Sequence, residues 1–229
     1  MNIINFEKLD STSTFVRQNA DTLPLPSLVI ADCQTAGRGR RGNSFYSPNG
    51  TGLYMTLLFE AKNELTLITP VAAVAVSKAL KNCFGIETKI KWVNDIFFND
   101  KKICGILSEC IINNGRRLIA VGIGVNLTTV DFPESLPQAG SIGNDCNRNE
   151  LASEISKIIL DYSEKPDNES IINEYRNRLF VIGKQISFFE NNICRYATVN
   201  DINEFCNLIV TTADGETKTL SSGEISIIL

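Results

Sequence analysis

The chain has 229 residues, with 22 Lys and Arg against 26 Asp and Glu (net charge −4), and is 43% hydrophobic and 21% charged. Such a balance suits one sizeable folded core with a small appendage, and argues against disorder and against a global field that would attract nucleic acid. Seven cysteines without a C-x-x-C pair and no histidine remove Ser-His and Cys-His nucleophiles and most zinc sites, so no protein-ligated metal is expected and the cysteines read as reduced, small hydrophobes.

The opening MNIINFEKLDSTST has neither a basic nor an apolar leader region. The longest apolar stretch, PVAAVAVSKAL, is broken by Ser77 and Lys78 and is too short to span a bilayer. The expectation is a cytoplasmic chain with no membrane partner. SLVIADC (27–33) and GLYMTLLFE (52–60) read as strands, joined by AGRGRRGNSFYSPNG, in which three glycines and three arginines fill positions 37–42. TLITPVAAVAVSKALKNCFG reads as a helix with Pro70 in its first turn and Gly85 at its end. TKIKWV (88–93) alternates as a strand, and IFFNDKKICGILSEC (96–110) reads as a hairpin turned at Asn99-Asp100. After the turn signal Asn113-Asn114-Gly115, RRLIAVGIGVNL (116–127) is apolar enough for a central strand.

Between Asn149 and Phe180 the period becomes helical, with Leu151, Ile155, Ile158, Ile159 and Tyr162 on one face and NESIINEYRNRLF as a second helix after Pro166. Beyond Gly183 only short strands remain: QISFFE, CRYATV, FCNLIVTT, TKTLSS and EISIIL, with Asp214-Gly215 a strong hairpin turn. These elements predict an α/β (α+β) chain. A mixed, largely antiparallel sheet with flanking helices occupies 1–181, and a small β-barrel occupies 182–229, too small to be stable without docking on the rest.

Gly37 to Gly42 matches G-x-G-x-x-G and comes within one residue of a P-loop, but Pro48, Gly50 and Gly52 forbid the helix that a dinucleotide site needs, and Asn43 stands where a P-loop has lysine. An arginine-rich RNA-binding segment, with Phe45 and Tyr46 stacking on bases, is opposed by the acidic total. A solvated hairpin is the plain alternative, yet mutually repelling arginines among glycines suit a loop that closes over a polyanion. In KWVNDIFFNDKKICGILSE (91–109), a hairpin puts Asn94 and Asp95 at a strand end and returns Lys102 and Gly105 toward them. Alone, Asp95 and Lys102 would be a surface ion pair of little value.

In order and spacing the first 130 or so residues resemble the bacterial biotin–protein ligases. The family pattern of a Ser-Thr pair, Q-x-x-G-R-G-R-x-G, K-W-P-N-D, K-[hydrophobic]-x-G-I-L-x-E and G-x-G-x-N appears at Ser11-Thr12, Gln34 to Gly42, Lys91 to Asp95, Lys102 to Glu109 and Gly122 to Asn126. The resemblance implies a class II synthetase-like catalytic domain followed by an SH3-like barrel. It implies that biotin and ATP give biotinyl-5′-AMP and diphosphate, with Mg²⁺ carried on the nucleotide, and that biotin then passes to a lysine of a biotin carboxyl carrier protein domain. Catalytic roles would fall to Arg38, Arg40, Lys102 and Asp95. Biotin would meet Ser11, Thr12, Gln34, Gly37, Arg38, Lys102 and Gly105, and the nucleotide Arg40, Arg41, Gly42, Phe45, Asn94 and Asn126.

Departures from the pattern are Val93 for the usual Pro, Ser13 where Asn is commoner, and Phe45 for a Trp beside adenine. Only ten residues precede Ser11, so the helix-turn-helix of larger relatives, and DNA as a partner, are expected to be absent. On the residues alone, Ser11 or Thr12 reads equally as a helix N-cap, Asp95 as a bond to the loop backbone, and Asn94 and Asn126 as turn asparagines. A lipoate-type ligase shares the adenylation logic, but its pattern has a run of glycines and a histidine-containing strand.

Overall fold

In the computed structural model, which describes residues 1–113, 115–191, 193–221, 223 and 225–228, the chain starts with a strand and a short helix that no strong sequence pattern announces. Strand β1 (Asn2–Leu9) leads through helix α1 (Thr12–Gln18) to β2 (Ser27–Gln34), its parallel neighbour. The next elements are β3 (Gly52–Glu60), α2 (Ile68–Phe84), β4 (Lys89–Lys91), β5 (Asp95–Phe98), β6 (Lys101–Asn113) and β7 (Arg116–Asn126). Helices α3 (Arg148–Glu164) and α4 (Asn168–Arg178) follow, then strands β8 (Gln185–Glu190), β9 (Ile193–Ile202), β10 (Leu208–Thr212), β11 (Thr217–Leu220) and β12 (Ile225–Ile227).

The first seven strands form one sheet in the order β1-β2-β3-β7-β6-β5-β4, antiparallel throughout except for β1 and β2. Central β7 is buried along its length from Leu118 to Asn126, which its unbroken apolar run predicts. The β5–β6 turn places Asn99 (φ 47) and Asp100 (φ 58) in the left-handed region, as a two-residue hairpin requires. Helix α2 ends where Gly85 (φ 69) caps it with an N–H to the Lys81 carbonyl at 2.8 Å. One sheet face packs against α2, α3 and α4, where Leu151, Ile155 and Ile159 are fully buried and Ile158 only partly. The other face carries α1 over a smaller cluster built on Val16, Val29, Leu58 and Leu118.

The last five strands make a separate antiparallel sheet in the order β11-β10-β9-β8-β12. Ile186, Phe188, Val199 and Leu208 of this sheet join the same hydrophobic cluster as the main core, and the Trp92 indole donates to the Cys206 carbonyl at 2.9 Å. The small sheet therefore shares the larger core rather than building its own, which offsets its small size. Of the segments read as turns or strands, positions 114, 222, 224 and 229 lie outside the described residues. Among the described residues no helix is long and apolar enough to cross a membrane.

Candidate functional site

Lys102 and Gly105 are three residues apart, so a regular strand would point them to opposite faces. The β5–β6 register shifts between them: Ile96 pairs with Cys104 but Phe97 with Lys102, leaving Ile103 as an extra residue. This bulge sends Ile103 into the core and turns Lys102 to the side of Asp95 and Gly105, which are register partners. Lys102 Nζ lies 2.7 Å from Asp95 Oδ1, an ion pair whose angle falls short of a hydrogen bond. Both side chains keep some water contact, so the pair adds little to stability and acts mainly to place the ammonium. Beneath them, burial raises the Cys104 thiol far above its usual range, and the Asp95 carboxylate raises it further, which leaves a neutral, unreactive sulfur.

The arginine loop is a tight hairpin. Gly39 N donates to the Asn43 carbonyl at 2.7 Å and Phe45 N to the Gly37 carbonyl at 2.9 Å, while Arg41 (φ 54) and Gly42 (φ 81) form its left-handed tip. Two of the mutually repelling guanidiniums have separate acceptors. Arg38 forks onto Glu109, Nη1 to Oε2 at 3.1 Å and Nη2 to Oε1 at 3.0 Å. Arg40 Nη1 donates to Asn94 Oδ1 at 3.0 Å, and Asn94 is itself held by Nδ2 donating to the Ile106 carbonyl at 2.8 Å.

A second group is neutral. Thr12 N donates to Gln34 Oε1 at 2.8 Å, which fixes the orientation of the amide because a backbone N–H can only donate. Thr12 Oγ1 gives its proton to the same oxygen at 3.2 Å and accepts from Thr56 Oγ1 at 2.9 Å. With the Thr56 proton thus used, Ser13 Oγ must donate across its 3.2 Å contact with Thr56. At the far end Gln34 Nε2 donates to Ser47 Oγ at 2.8 Å, and Ser47 donates to the Phe45 carbonyl at 3.0 Å. The chain of donors runs in one direction. What remains for a ligand is one Gln34 N–H and hydroxyl lone pairs on Thr12 and Ser13.

These groups surround one cavity of about 460 Å³. Gly105 and Gly124 are register partners on β6 and β7 and make a trough for the Phe45 ring. A Cβ at Gly124 would lie 2.4 Å from Phe45 Cε1 and one at Gly105 3.2 Å from Cε2. Asn126, only 4% exposed, lines the cavity and donates from Nδ2 to the Gly140 carbonyl at 2.9 Å, while its buried Oδ1 has no hydrogen-bond partner. The chain at 136–140 runs beside Lys102, with Lys102 N donating to the Gln138 carbonyl at 2.8 Å.

Of the residues singled out in the sequence, Thr12, Gln34, Arg38, Arg40, Phe45, Asn94, Asp95, Lys102, Gly105 and Asn126 all line this cavity. Ser11, Gly37, Arg41 and Gly42 stand outside it. The Ser11 hydroxyl caps α1 by accepting from Thr14 N at 3.4 Å, the N-cap alternative that its sequence allowed. At Gly37 a Cβ would meet the Phe45 carbonyl at 2.4 Å and Ser47 Oγ at 2.8 Å, so glycine there closes the loop base. Arg41 and Gly42 form the exposed loop tip. Ser13, Lys91 and Trp92 line the cavity without having been assigned to it, although each lies in or beside a recognised motif. Thr56 and the C-terminal Gly223, Ile225 and Ser226 carried no sequence signal, because only tertiary packing brings them near, and Glu109 closes a recognised motif whose pairing with Arg38 the sequence did not reveal. Among the described residues no group of three or more His, Cys, Asp or Glu side chains gathers as a metal site.

Cations and a neutral amide-hydroxyl cluster thus line one sheet-backed cavity of an α+β domain. The sequence profile of the Biotin/lipoate A/B protein ligase family matches residues 5–126, and that of the Biotin protein ligase C terminal domain matches residues 181–227. The chain belongs to the biotin/lipoate A/B protein ligase family. It is 39% identical over 141 residues to the bifunctional ligase/repressor BirA of Bacillus subtilis, an alignment covering 58% of this chain and 43% of that protein. It is 35% identical over 140 residues to the biotin–[acetyl-CoA-carboxylase] ligase of Paracoccus denitrificans, covering 59% of this chain and 56% of that one. The chain thus spans about half the length of these curated relatives. The biotin protein ligase of Aquifex aeolicus, solved with biotin and ATP, superposes with a TM-score of 0.82 at 26% identity, covering 99% of this chain and 98% of that chain.

Proposed function

We propose that this chain is a biotin–protein ligase: it joins biotin to AMP at the expense of ATP, then passes the biotinyl group to a lysine of a biotin carboxyl carrier protein domain. The observation that carries the reading is the cavity's pairing of leftover valences. A cyclic urea presents one carbonyl acceptor and two N–H donors, which the Gln34 N–H and the lone pairs of Thr12 and Ser13 complement. Biotin's carboxylate would then reach toward Arg38, Arg40 and Lys102, which line the same cavity.

In the first step a carboxylate oxygen of biotin attacks the α-phosphorus of ATP, the bond to the bridging oxygen breaks, and diphosphate leaves with the electron pair. Two anions must meet, so fixed cations supply the main stabilisation and no base is needed. Mg²⁺ would arrive on the nucleotide. Asp95, the one carboxylate among the described residues lining the cavity, fits an ion held chiefly by phosphates and water. Asn94, Asn126 and Phe45 are assigned to the nucleotide.

In the second step a carrier lysine attacks the acyl carbon, the C–O bond to AMP breaks, and the amine loses a proton. That amine starts as an ammonium of pKa about 10.4, and we assign to Asp95 the role of orienting it and taking the proton. We assign the catalytic unit to residues 1–181 and the C-terminal unit to 182–229. Incubation with biotin and ATP should yield biotinyl-5′-AMP by mass spectrometry. Adenylate formed from lipoate but not from biotin would replace this reading with the lipoate-type one, and no adenylate from either would end it.

A further inference from the structure

We propose that Glu109 is a positioning residue that fixes the plane of the Arg38 guanidinium at the cavity wall; the proposal rests on reading the cavity as the adenylation site. Glu109 projects from β6 beside Ala120 of β7 and does not line the cavity, whereas Arg38 does. The two residues are 71 apart in sequence and meet through two parallel contacts of 3.0 and 3.1 Å. One contact would leave the guanidinium free to swing about it, but a fork locks its plane. The fork uses one N–H on each terminal nitrogen, so three of the five guanidinium N–H donors remain for a ligand.

Stability alone does not account for this pair. The side chains are 33% and 25% exposed, so water screens the attraction and even this bidentate pair adds only modestly to stability. Orientation has a clearer use, because Arg38 shares the cavity with Arg40 and Lys102. Without an acceptor behind it, Arg38 would be driven outward by these like charges. Glu109 does not line the cavity, so it can counter that repulsion without facing the anionic substrate.

The test is a double-mutant cycle on biotin-dependent diphosphate exchange with Glu109→Ala, Arg38→Ala and the double variant, and with Glu109→Gln as the gentler change. Glu109→Ala should lower kcat/KM for biotin by roughly tenfold. Glu109→Gln, which keeps one acceptor oxygen without the charge, should fall between it and the parent. In the Arg38→Ala background, Glu109→Ala should cost nothing further. Losses that simply add would mean a general structural role, no loss would mean an idle pair, and a gain would mean a latch that Arg38 must leave; each overturns the proposal. Where Glu109→Ala fails to fold, Glu109→Gln carries the cycle.

Amide hydrogen exchange on the protein alone is a second arm. Residues 38–44 should exchange faster in the Glu109 variants while the β-sheet core is unchanged, and unaltered loop exchange would overturn the proposal. This arm needs no substrate. If the parent protein forms no adenylate, the functional reading fails, while the hold of Glu109 on Arg38 is still decided.

Discussion

Thr56→Val tests whether the hydroxyl chain sets the recognition end of the cavity. Thr56 is fully buried, does not line the cavity, and touches a ligand only through Thr12 and Ser13. Valine keeps the shape and removes two hydrogen bonds, of 2.9 and 3.2 Å. Each lost bond costs about 1 kcal/mol, and the buried Ser13 and Thr12 hydroxyls add a penalty for lost partners, partly offset by the added methyl. A net destabilisation of about 1.5 kcal/mol is expected, or roughly 3–6 °C in melting temperature for a chain of this size. The sharper effect is on polarity. Once Thr56 no longer accepts from it, the Ser13 hydroxyl can turn its proton toward the cavity and present a donor where the ligand has its own. KM for biotin should rise by roughly tenfold with KM for ATP unchanged, and Thr56→Ser, which restores the hydroxyl, should recover most of the loss. A normal KM for biotin in a folded Thr56→Val protein would show that the chain does not set the polarity of the site.

Lys102→Ala should cut biotin-dependent diphosphate exchange by about a hundredfold, the scale of roughly 3 kcal/mol of lost charge stabilisation, while melting temperature changes little; near-normal exchange would remove Lys102 from the catalytic set. Asp95→Asn should slow transfer from supplied biotinyl-5′-AMP more than it slows adenylate synthesis, and equal losses in separate assays of the two steps would point to a structural or magnesium-related role. Burial pushes the Cys206 thiol up to about 12 and raises Cys104 and Tyr175 as well, so the folded chain keeps protons that the unfolded chain releases. Stability should therefore hold below about pH 9 and fall as pH rises through the folded values. Urea midpoints measured from pH 7 to 10.5 should show that decline, and a flat profile would mean that these groups are not held neutral.

Strands β2 and β3 were legible because each is a continuous apolar run with a sharp end, and the hairpin because Asn99-Asp100 tolerates positive φ. β1 was not, because as an edge strand it has no fully buried residue and so shows little alternation. The density of the arginines could be read as a candidate ligand site, but their partners could not. Glu109 is 71 residues from Arg38 and Asn94 is 54 from Arg40. The face taken by Lys102 depends on a one-residue bulge, which a two-residue period cannot reveal and which the odd spacing to Gly105 argued against. Ser11 shows the opposite case. Its sequence allowed a cap and a ligand contact equally, and the start of α1 makes it the cap.

The two motifs work as one electrostatic unit. The segment around residues 38–40 brings cations into an otherwise acidic chain, and the segment 91–109 brings the acceptors, with Glu109 for Arg38, Asn94 for Arg40 and Asp95 for Lys102. Each acceptor holds its cation in place, and the fork on Glu109 uses only two of the five N–H groups of Arg38. Charge that is already oriented does not have to reorganise when an anion arrives, and this is the condition under which fixed charges stabilise a transition state most. A flexible loop of free arginines would instead need ordering at the moment of reaction, against its own glycine entropy and like-charge repulsion. The glycines therefore serve close packing more than freedom: Gly37 closes the loop base, and Gly105 with Gly124 seats the Phe45 ring. Transplanting the arginine loop onto another scaffold without the 91–109 strand pair would carry over the charge and lose the orientation.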